Sequence, residues 1–264
     1  MLVIFTDLDG TLLDRETFTH APAQPALDRL ARQNVPLVFC SSKTRAEIEV
    51  LRRRIGNSHP FIVENGGAVF VPRRYFRFAS STRCRDEYEV LEFGDRYPVL
   101  VETLREASRE SACEVLGFHQ MSDQEVSARC NLPLPDAALA RKREYGEAFL
   151  ILTLTRKQRL LGEIERLGKR WTRGDRCHHI MGANDKAVAV RKLTELYRRA
   201  HGDVRTAGLG DAPNDAEFLQ AVDRPVIVQS PHSRELARKI PAAKRTRLPG
   251  PEGWNHAVLE MVPE

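Results

Sequence analysis

A chain of 264 residues, 42% of them hydrophobic, holds enough apolar material for one large domain or two smaller ones. No apolar stretch approaches the roughly 20 residues of a membrane span, and the short run before Asp7 is not expected to be a signal peptide. The net charge of +5 sits in arginine clusters at 52–54, 73–74 and 198–199, and the five cysteines form no CxxC pair, so neither a zinc site nor a disulfide frame is expected; reduced thiols in a cytoplasmic protein are.

Residues 2–6 read as a short buried strand, ended by Asp7 and Asp9 and a Gly-Thr turn. Residues 25–33 have helical spacing, with Ala26, Leu27, Leu30 and Ala31 on one side. A second apolar strand, PLVFC, covers 36–40, and helical period returns over 44–55 with Ile48, Leu51 and Ile55 aligned. A third strand at 61–63 runs into the turn signal ENGG and a return strand at 68–71. Strand and helix alternating in this way predict an α/β core with a mostly parallel sheet and helices on its faces. The stretch 77–180 has a different texture. Charges are denser, residues 102–110, 123–129, 136–143 and 156–168 look helical, and FLILTL at 149–154 looks like a strand. It is expected to be a second, α+β domain inserted into the first, which then comprises 1–76 and 181–264. The alternation resumes with an amphipathic helix at 187–197, a strand at 205–209, a helix at 214–221 and a strand at 225–228. The tail after Pro241, rich in Pro, Gly and basic residues, is expected to wrap the core before a short C-terminal helix.

In an open parallel sheet ligands bind beyond the carboxyl ends of the strands. Four polar groups fall at that edge: Asp7-x-Asp9 after the first strand, Ser41-Ser42-Lys43 after the second, Lys186 at a helix start, and Asp211 to Asp215 after the strand at 205–209. Carboxylates gathered there repel one another and raise each other's pKa, and a divalent cation relieves the repulsion. Ligation by oxygen alone favours magnesium over zinc. One carboxylate can attack as a nucleophile while a second serves as acid and then base. A serine hydroxyl and a lysine ammonium suit the oxygens of a phosphoryl group. The set points to phosphoryl transfer.

The order D-x-D-G-T, Ser after the second strand, Lys, then G-D-x-x-N-D resembles the haloacid-dehalogenase superfamily of phosphotransferases over the whole core. The resemblance implies a Rossmann-like core with Asp7 as the nucleophile that forms an aspartyl phosphate and Asp9 as the acid/base. It implies that Ser41 and Lys186 bind the phosphoryl group. Magnesium would be held by Asp7, Asp9 (through its backbone carbonyl) and Asp211, with Asp215 also at the metal site, Asn214 supporting it, and Thr11 fixing the loop. The position of the insertion resembles the C2 cap arrangement. Within that group the chain is most similar to mannosyl-3-phosphoglycerate phosphatases, through SSKTRAE at 41–47, FIVENGG at 61–67, KREYGEAF at 142–149, HHIMGANDKA at 178–187, GLGDAPND at 208–215 and PGPEGW at 249–254. That family implies hydrolysis of a glycosyl-3-phosphoglycerate, a small anionic phosphorylated sugar acid, to a glycosylglycerate, the compatible solute of mannosylglycerate biosynthesis. Substrate contacts are expected from Lys43, Glu64, Asn65, Gly66, Arg143, Glu147 and His179. The chain departs from the family pattern at Gly146-Glu147-Ala148, where Ser-Glu-Pro is common, at Ala187, where Gly is usual, and at GDRC, residues 174–177, positions suited to altering which sugar is held.

Plainer readings exist for single pieces. Either Ser41 or Ser42 suits the N-cap of the following helix, and the motif spacing favours Ser41 for phosphate. ENGG is also an ordinary turn, and Arg143 and Glu147 also read as a solvated ion-pair face. His178 and His179 alternate on an extended segment, so only one faces the site. For the whole chain the alternatives are a sugar phosphatase of broader range, a phospho-accepting signalling domain, or a nucleic-acid binder. The last has only the charge in its favour, and mixed signs on the helix that carries 52–54 argue for a solvated face. No nucleic-acid or membrane partner is expected.

Overall fold

The computed structural model describes residues 1–173 and 177–264. In chain order the strands are β1 (Leu2–Thr6), β2 (Leu37–Cys40), β3 (Phe61–Val63), β4 (Ala68–Pro72), β5 (Cys84–Arg85), β6 (Tyr88–Glu92), β7 (Val115–Gly117), β8 (Gly146–Ile151), β9 (Arg170–Arg173), β10 (His178–Met181), β11 (Arg205–Gly210), β12 (Arg224–Gln229) and β13 (Lys244–Pro249). The helices are α1 (Gln24–Arg32), α2 (Arg45–Ile55), α3 (Tyr97–Ser111), α4 (Asp123–Cys130), α5 (Leu134–Ala140), α6 (Lys157–Arg166), α7 (Lys186–His201), α8 (Ala216–Gln220), α9 (Ser233–Lys239) and α10 (Gly250–Met261). No helix among the described residues is long and apolar enough to cross a membrane.

The chain is α/β, with two sheets. The larger runs β13-β12-β11-β1-β2-β3-β4-β6-β5, parallel from β13 to β3 and antiparallel beyond. The smaller, β7-β8-β10-β9, is antiparallel throughout. Alternation along each strand feeds two separate cores. Ile4, Leu37 and Phe39 pack with Leu27, Leu51 and Trp254 from α1, α2 and α10 on one face. Val3, Phe5 and Val38 pack with Val190, Leu193 and Phe218 from α7 and α8 on the other. Both faces are covered, which is why β1 and β2 read as unbroken apolar runs. The small sheet is built the same way. Phe149 and Ile180 face α3 and α6, and Ala148 faces α4 and α5 with Phe118, Val126 and Ala140.

Several expected elements shift. The strand expected at 149–154 lies at Gly146–Ile151, and Leu152 and Leu154 stand exposed beyond it. The helix expected at 136–143 ends at Ala140, which leaves Arg143 on the following loop. The tail does more than wrap the core. Its basic segment is β13, a parallel edge strand against β12, and an edge needs hydrogen bonds on one side only and tolerates charge. Residues 84–92, within the interval expected for the insert, add β5 and β6 to the larger sheet.

Candidate active site

β1 lies between β2 and β11, so the ends of these three strands deliver their loops to one place. After Thr6 the chain curls tightly. The Leu13 N–H donates to the Leu8 carbonyl at 2.8 Å and the Gly10 N–H to the Leu13 carbonyl at 2.9 Å. Gly10 is required here. Its φ is +79°, and a Cβ would lie 2.7 Å from Asp211 Oδ2. From below, Trp254 Nε1–H donates to Thr6 Oγ1 at 2.9 Å, and Thr6 Oγ1–H donates to the Asp7 carbonyl at 2.7 Å. The C-terminal helix thus holds the residue before Asp7.

Asp7, Asp211 and Asp215, all buried, bring one carboxylate oxygen each within 4.8 Å of one another. Lys186 stands among them, wholly buried, with Nζ 2.6 Å from Asp7 Oδ1 and 2.7 Å from Asp215 Oδ1. It is the first residue of α7, whose N-cap Asp185 accepts from the Val188 N–H. A cation at a helix N-terminus opposes the dipole; the two carboxylates outweigh that. Asp215 Oδ2 accepts from the Asp211 and Ala212 N–H groups at 2.9 and 3.0 Å. Asp211 accepts from Thr11 Oγ1–H at 3.0 Å and pairs with Arg15 at 2.7 Å. Burial, then the charge of Asp215, push the Asp7 carboxyl well above the usual carboxylate range against the pull of Lys186. The same two causes raise Asp211 to about 7 against Arg15. Burial would lower Lys186, but Asp215 and Asp7 overcome it and hold the ammonium above its ordinary value. A group of buried carboxylates that are mutually raised, with oxygen donors alone, fits a hard divalent cation.

Asp9 stands apart from this cluster. Its side chain is about one-third exposed and its Oδ2 is 3.1 Å from Lys43 Nζ, which also lies 3.3 Å from Glu47. Its Oδ1 is buried without a hydrogen-bond partner. Asp7, Asp9, Arg15, Lys43, Arg143 and His179 line one cavity of about 120 Å³. Its apolar wall comes from the small sheet and its helices, through Phe118, Leu132, Ala140 and Ala148. The cavity is lined by Ser42, while Ser41 is buried beneath it with its Oγ accepting from the Lys43 N–H at 3.2 Å. Neither serine caps α2. Thr44 does, in a capping box with Glu47.

The remaining expected residues divide into two groups. Arg143 and His179 reach the cavity. Arg143 donates to the Gly146 and Ser42 carbonyls at 2.6 and 3.3 Å, and His179 has a buried Nδ1 without a partner. Burial, then Arg143, lower His179 to about 3, so its ring is neutral at pH 7. Glu64, Asn65, Gly66 and Glu147 are held inside the protein. Glu64 accepts from the Glu144 and Tyr145 N–H groups at 2.8 and 3.1 Å and lies 3.3 Å from Arg143; burial raises it to about 7. It joins the loop after β3 to the start of β8. Asn65 Oδ1 accepts from Asn214 Nδ2 at 3.2 Å, and the two border a second cavity of about 420 Å³ with Lys186. Glu147 is wholly buried, with His119 Nδ1 2.7 Å from its Oε1. Of the departure at GDRC, residues 174–176 lie outside the described residues.

Gly66 has φ +86°, and a Cβ there would lie 2.1 Å from the backbone oxygen of Asp185, the residue before Lys186. Gly66→Ala is therefore expected to cost about 2–4 kcal/mol, through both strain and a backbone shift. Urea unfolding of the two proteins measures it. Sequence reasoning missed Arg15, Glu47 and Phe118 at the cavity, and favoured Ser41 over the Ser42 that lines it. Arg15 carried a signal in hindsight, since it follows the D-x-D-G-T loop within one turn.

The model of the haloacid dehalogenase-like hydrolases matches residues 4–238. The chain belongs to that family. It is 40% identical to the glucosyl-3-phosphoglycerate/mannosyl-3-phosphoglycerate phosphatase of Methanococcoides burtonii, over 98% of this chain and 97% of that one. It is 36% identical to the mannosyl-3-phosphoglycerate phosphatase of Pyrococcus furiosus, over 84% of this chain and 88% of the other. Within the haloacid-dehalogenase-like hydrolases, then, it falls in the mannosyl-3-phosphoglycerate phosphatase family. A solved sugar phosphatase of haloacid-dehalogenase subclass IIB shares the fold, with a TM-score of 0.66 over 99% of each chain at 16% identity.

Proposed function

We propose that this phosphoric monoester hydrolase releases phosphate from a glycosyl-3-phosphoglycerate, with the mannosyl compound as its main substrate, through an aspartyl phosphate on Asp7. The observation that carries the reading is one cavity. Its floor holds Asp7 and Asp9, and its far wall presents Arg143 and His179 from the small-sheet side. Asp7 attacks phosphorus. Asp9, partly exposed at the cavity and with one oxygen unpartnered, protonates the departing glycerate oxygen and then takes a proton from the attacking water. Lys186 favours the ionised form of Asp7 against burial and Asp215, and holds the side chain in place. Arg143 suits the substrate carboxylate and neutral His179 a sugar hydroxyl. Asp7, Asp211 and the Asp9 carbonyl, supported by Asp215, would hold magnesium, which when bound supplies positive charge for the phosphoryl oxygens. The segment between β6 and α7 serves as the cap over this floor, and cap opening releases product.

The test is phosphate release from mannosyl- and glucosyl-3-phosphoglycerate and from a panel of hexose phosphates. Fast turnover of one glycosyl-phosphoglycerate supports the reading and names the sugar. Turnover of hexose phosphates alone overturns the substrate and keeps the chemistry. Chelation of divalent metal is expected to abolish release on every substrate, and added magnesium to restore it. Activity that persists after exhaustive chelation would remove the metal from the scheme.

A further inference from the structure

Two of the five cysteines meet inside the active-site cavity. Cys130 ends α4 and Cys177 precedes β10, 47 residues further along the chain, yet their sulfur atoms are 3.5 Å apart. Both are buried, and both line the cavity that holds Asp7. The other three are elsewhere: Cys40 and Cys113 lie in separate cores and Cys84 is exposed. None of the five is in a disulfide.

A disulfide has an S–S length near 2.05 Å, so closing this pair moves each sulfur by less than about 1 Å. We propose that Cys130 and Cys177 form a reversible disulfide in the cavity wall, and that the closed bond slows turnover. The geometry links the two effects. The turn after α4 and then α5 supply the wall through Leu132 and Ala140, and α5 touches the core side where Thr44 Oγ1–H donates to the Leu139 carbonyl at 3.0 Å. Cys177, just before β10, is two residues from His179, and both line the cavity. A covalent tie between the end of α4 and this strand fixes the wall against the surface that reads the substrate, so the wall no longer yields to a bulky sugar acid.

The oxidant is a peroxide, small enough to enter the cavity. One thiolate attacks the O–O bond, taking one oxygen as a sulfenic acid and releasing water. The second thiol attacks that sulfur, forming S–S and releasing a second water. Two thiols and one hydrogen peroxide give one disulfide and two waters, with both electrons passing to the peroxide. A dithiol reverses the step by exchange.

The experiment uses the full chain with Cys84→Ser, which removes the exposed thiol. Hydrogen peroxide is expected to lower the intact mass by about 2 Da, the two hydrogens lost, and peptide mapping is expected to find 130 joined to 177. Phosphate release from whichever phosphomonoester the protein turns over is expected to fall several-fold and to recover with dithiothreitol. Cys130→Ala and Cys177→Ala in the same background are each expected to lose both the mass change and the peroxide response. Oxygen addition without a cross-linked peptide overturns the proposal, and so does a cross-link that leaves turnover unchanged. The slowing of turnover rests on the proposed function but the cross-link does not, so failure of one is distinguishable from failure of the other.

Discussion

Asp7→Asn is expected to lower kcat by about 10⁴-fold or more on any phosphomonoester the protein accepts, the scale of loss when a nucleophile is removed. The amide keeps the shape of the side chain and its place near Lys186, but it cannot attack phosphorus. The stability of the metal-free protein is expected to move the other way. Burial and Asp215 raise the Asp7 carboxyl, so the fold disfavours its ionised form. A carboxylate raised on folding contributes stability only at low pH and loses it as the pH rises. Removing the charge lifts that cost, so the thermal midpoint of Asp7→Asn without metal should equal or exceed that of the parent protein at pH 8. A variant that loses activity and also melts well below the parent would mean that Asp7 is chiefly a structural partner of Lys186. Residual turnover within tenfold of the parent would give the nucleophile's role to another group.

Lys186→Met is expected to be the most damaging single change to stability. The ammonium bonds two buried carboxylates at 2.6 and 2.7 Å, and removing it leaves them facing each other and Asp211 without that cation. Breaking a buried pair in this way costs about 3–5 kcal/mol. The pH dependence identifies the cause. Asp7 and Asp211 both have raised pKa values in the fold, Asp211 near 7. Their charged forms are costly above that range and are relieved by protonation below it. The gap in melting temperature between Lys186→Met and parent, both metal-free, should therefore be widest at pH 8 and should shrink toward pH 5. A gap independent of pH would point to lost packing of the lysine stem against Phe218, whose ring centroid is 5.5 Å from Nζ. Lys186→Arg is not expected to rescue, since a planar guanidinium does not fit the space between two carboxylates built around a compact ammonium.

The core was legible because it is buried on both faces. β1 and β3 lie where the apolar runs predict them, and α2 starts at the Thr44 cap with Glu47 three residues on. Asp7, Asp211 and Asp215, spread over more than 200 residues of sequence, converge from the ends of the adjacent strands β1 and β11, and Lys186 joins them from the start of α7. The insert was harder for a physical reason. Its strands face helices on both sides but carry charged or polar residues at alternate or terminal positions, as in RWTR and HHIM, so period and polarity disagree. Glu64 and Glu147 show the limit for single residues. An acidic side chain near a site reads as a substrate contact, yet these two are held inside the protein, Glu64 by backbone N–H groups and Glu147, through one oxygen, by a backbone N–H and a histidine. Sequence spacing does not reveal which way a carboxylate turns.

The strand order has a consequence for how the protein comes into being. β1 is flanked by β2 and by β11, and the latter pairing joins Leu2 to Arg205. During synthesis at about 5–20 residues per second, roughly 10–40 s separate the appearance of the two strands. Throughout that interval the nascent chain carries an apolar strand with one open edge, and Asp7 waits for Lys186, made shortly before β11, and for Asp211 and Asp215, made just after it. The final brace, Trp254 on Thr6, comes only as translation ends. Assembly of the catalytic floor is thus postponed until release from the ribosome, and a chaperone that shields the first strand would be expected to raise the yield of active enzyme more than it speeds any later step.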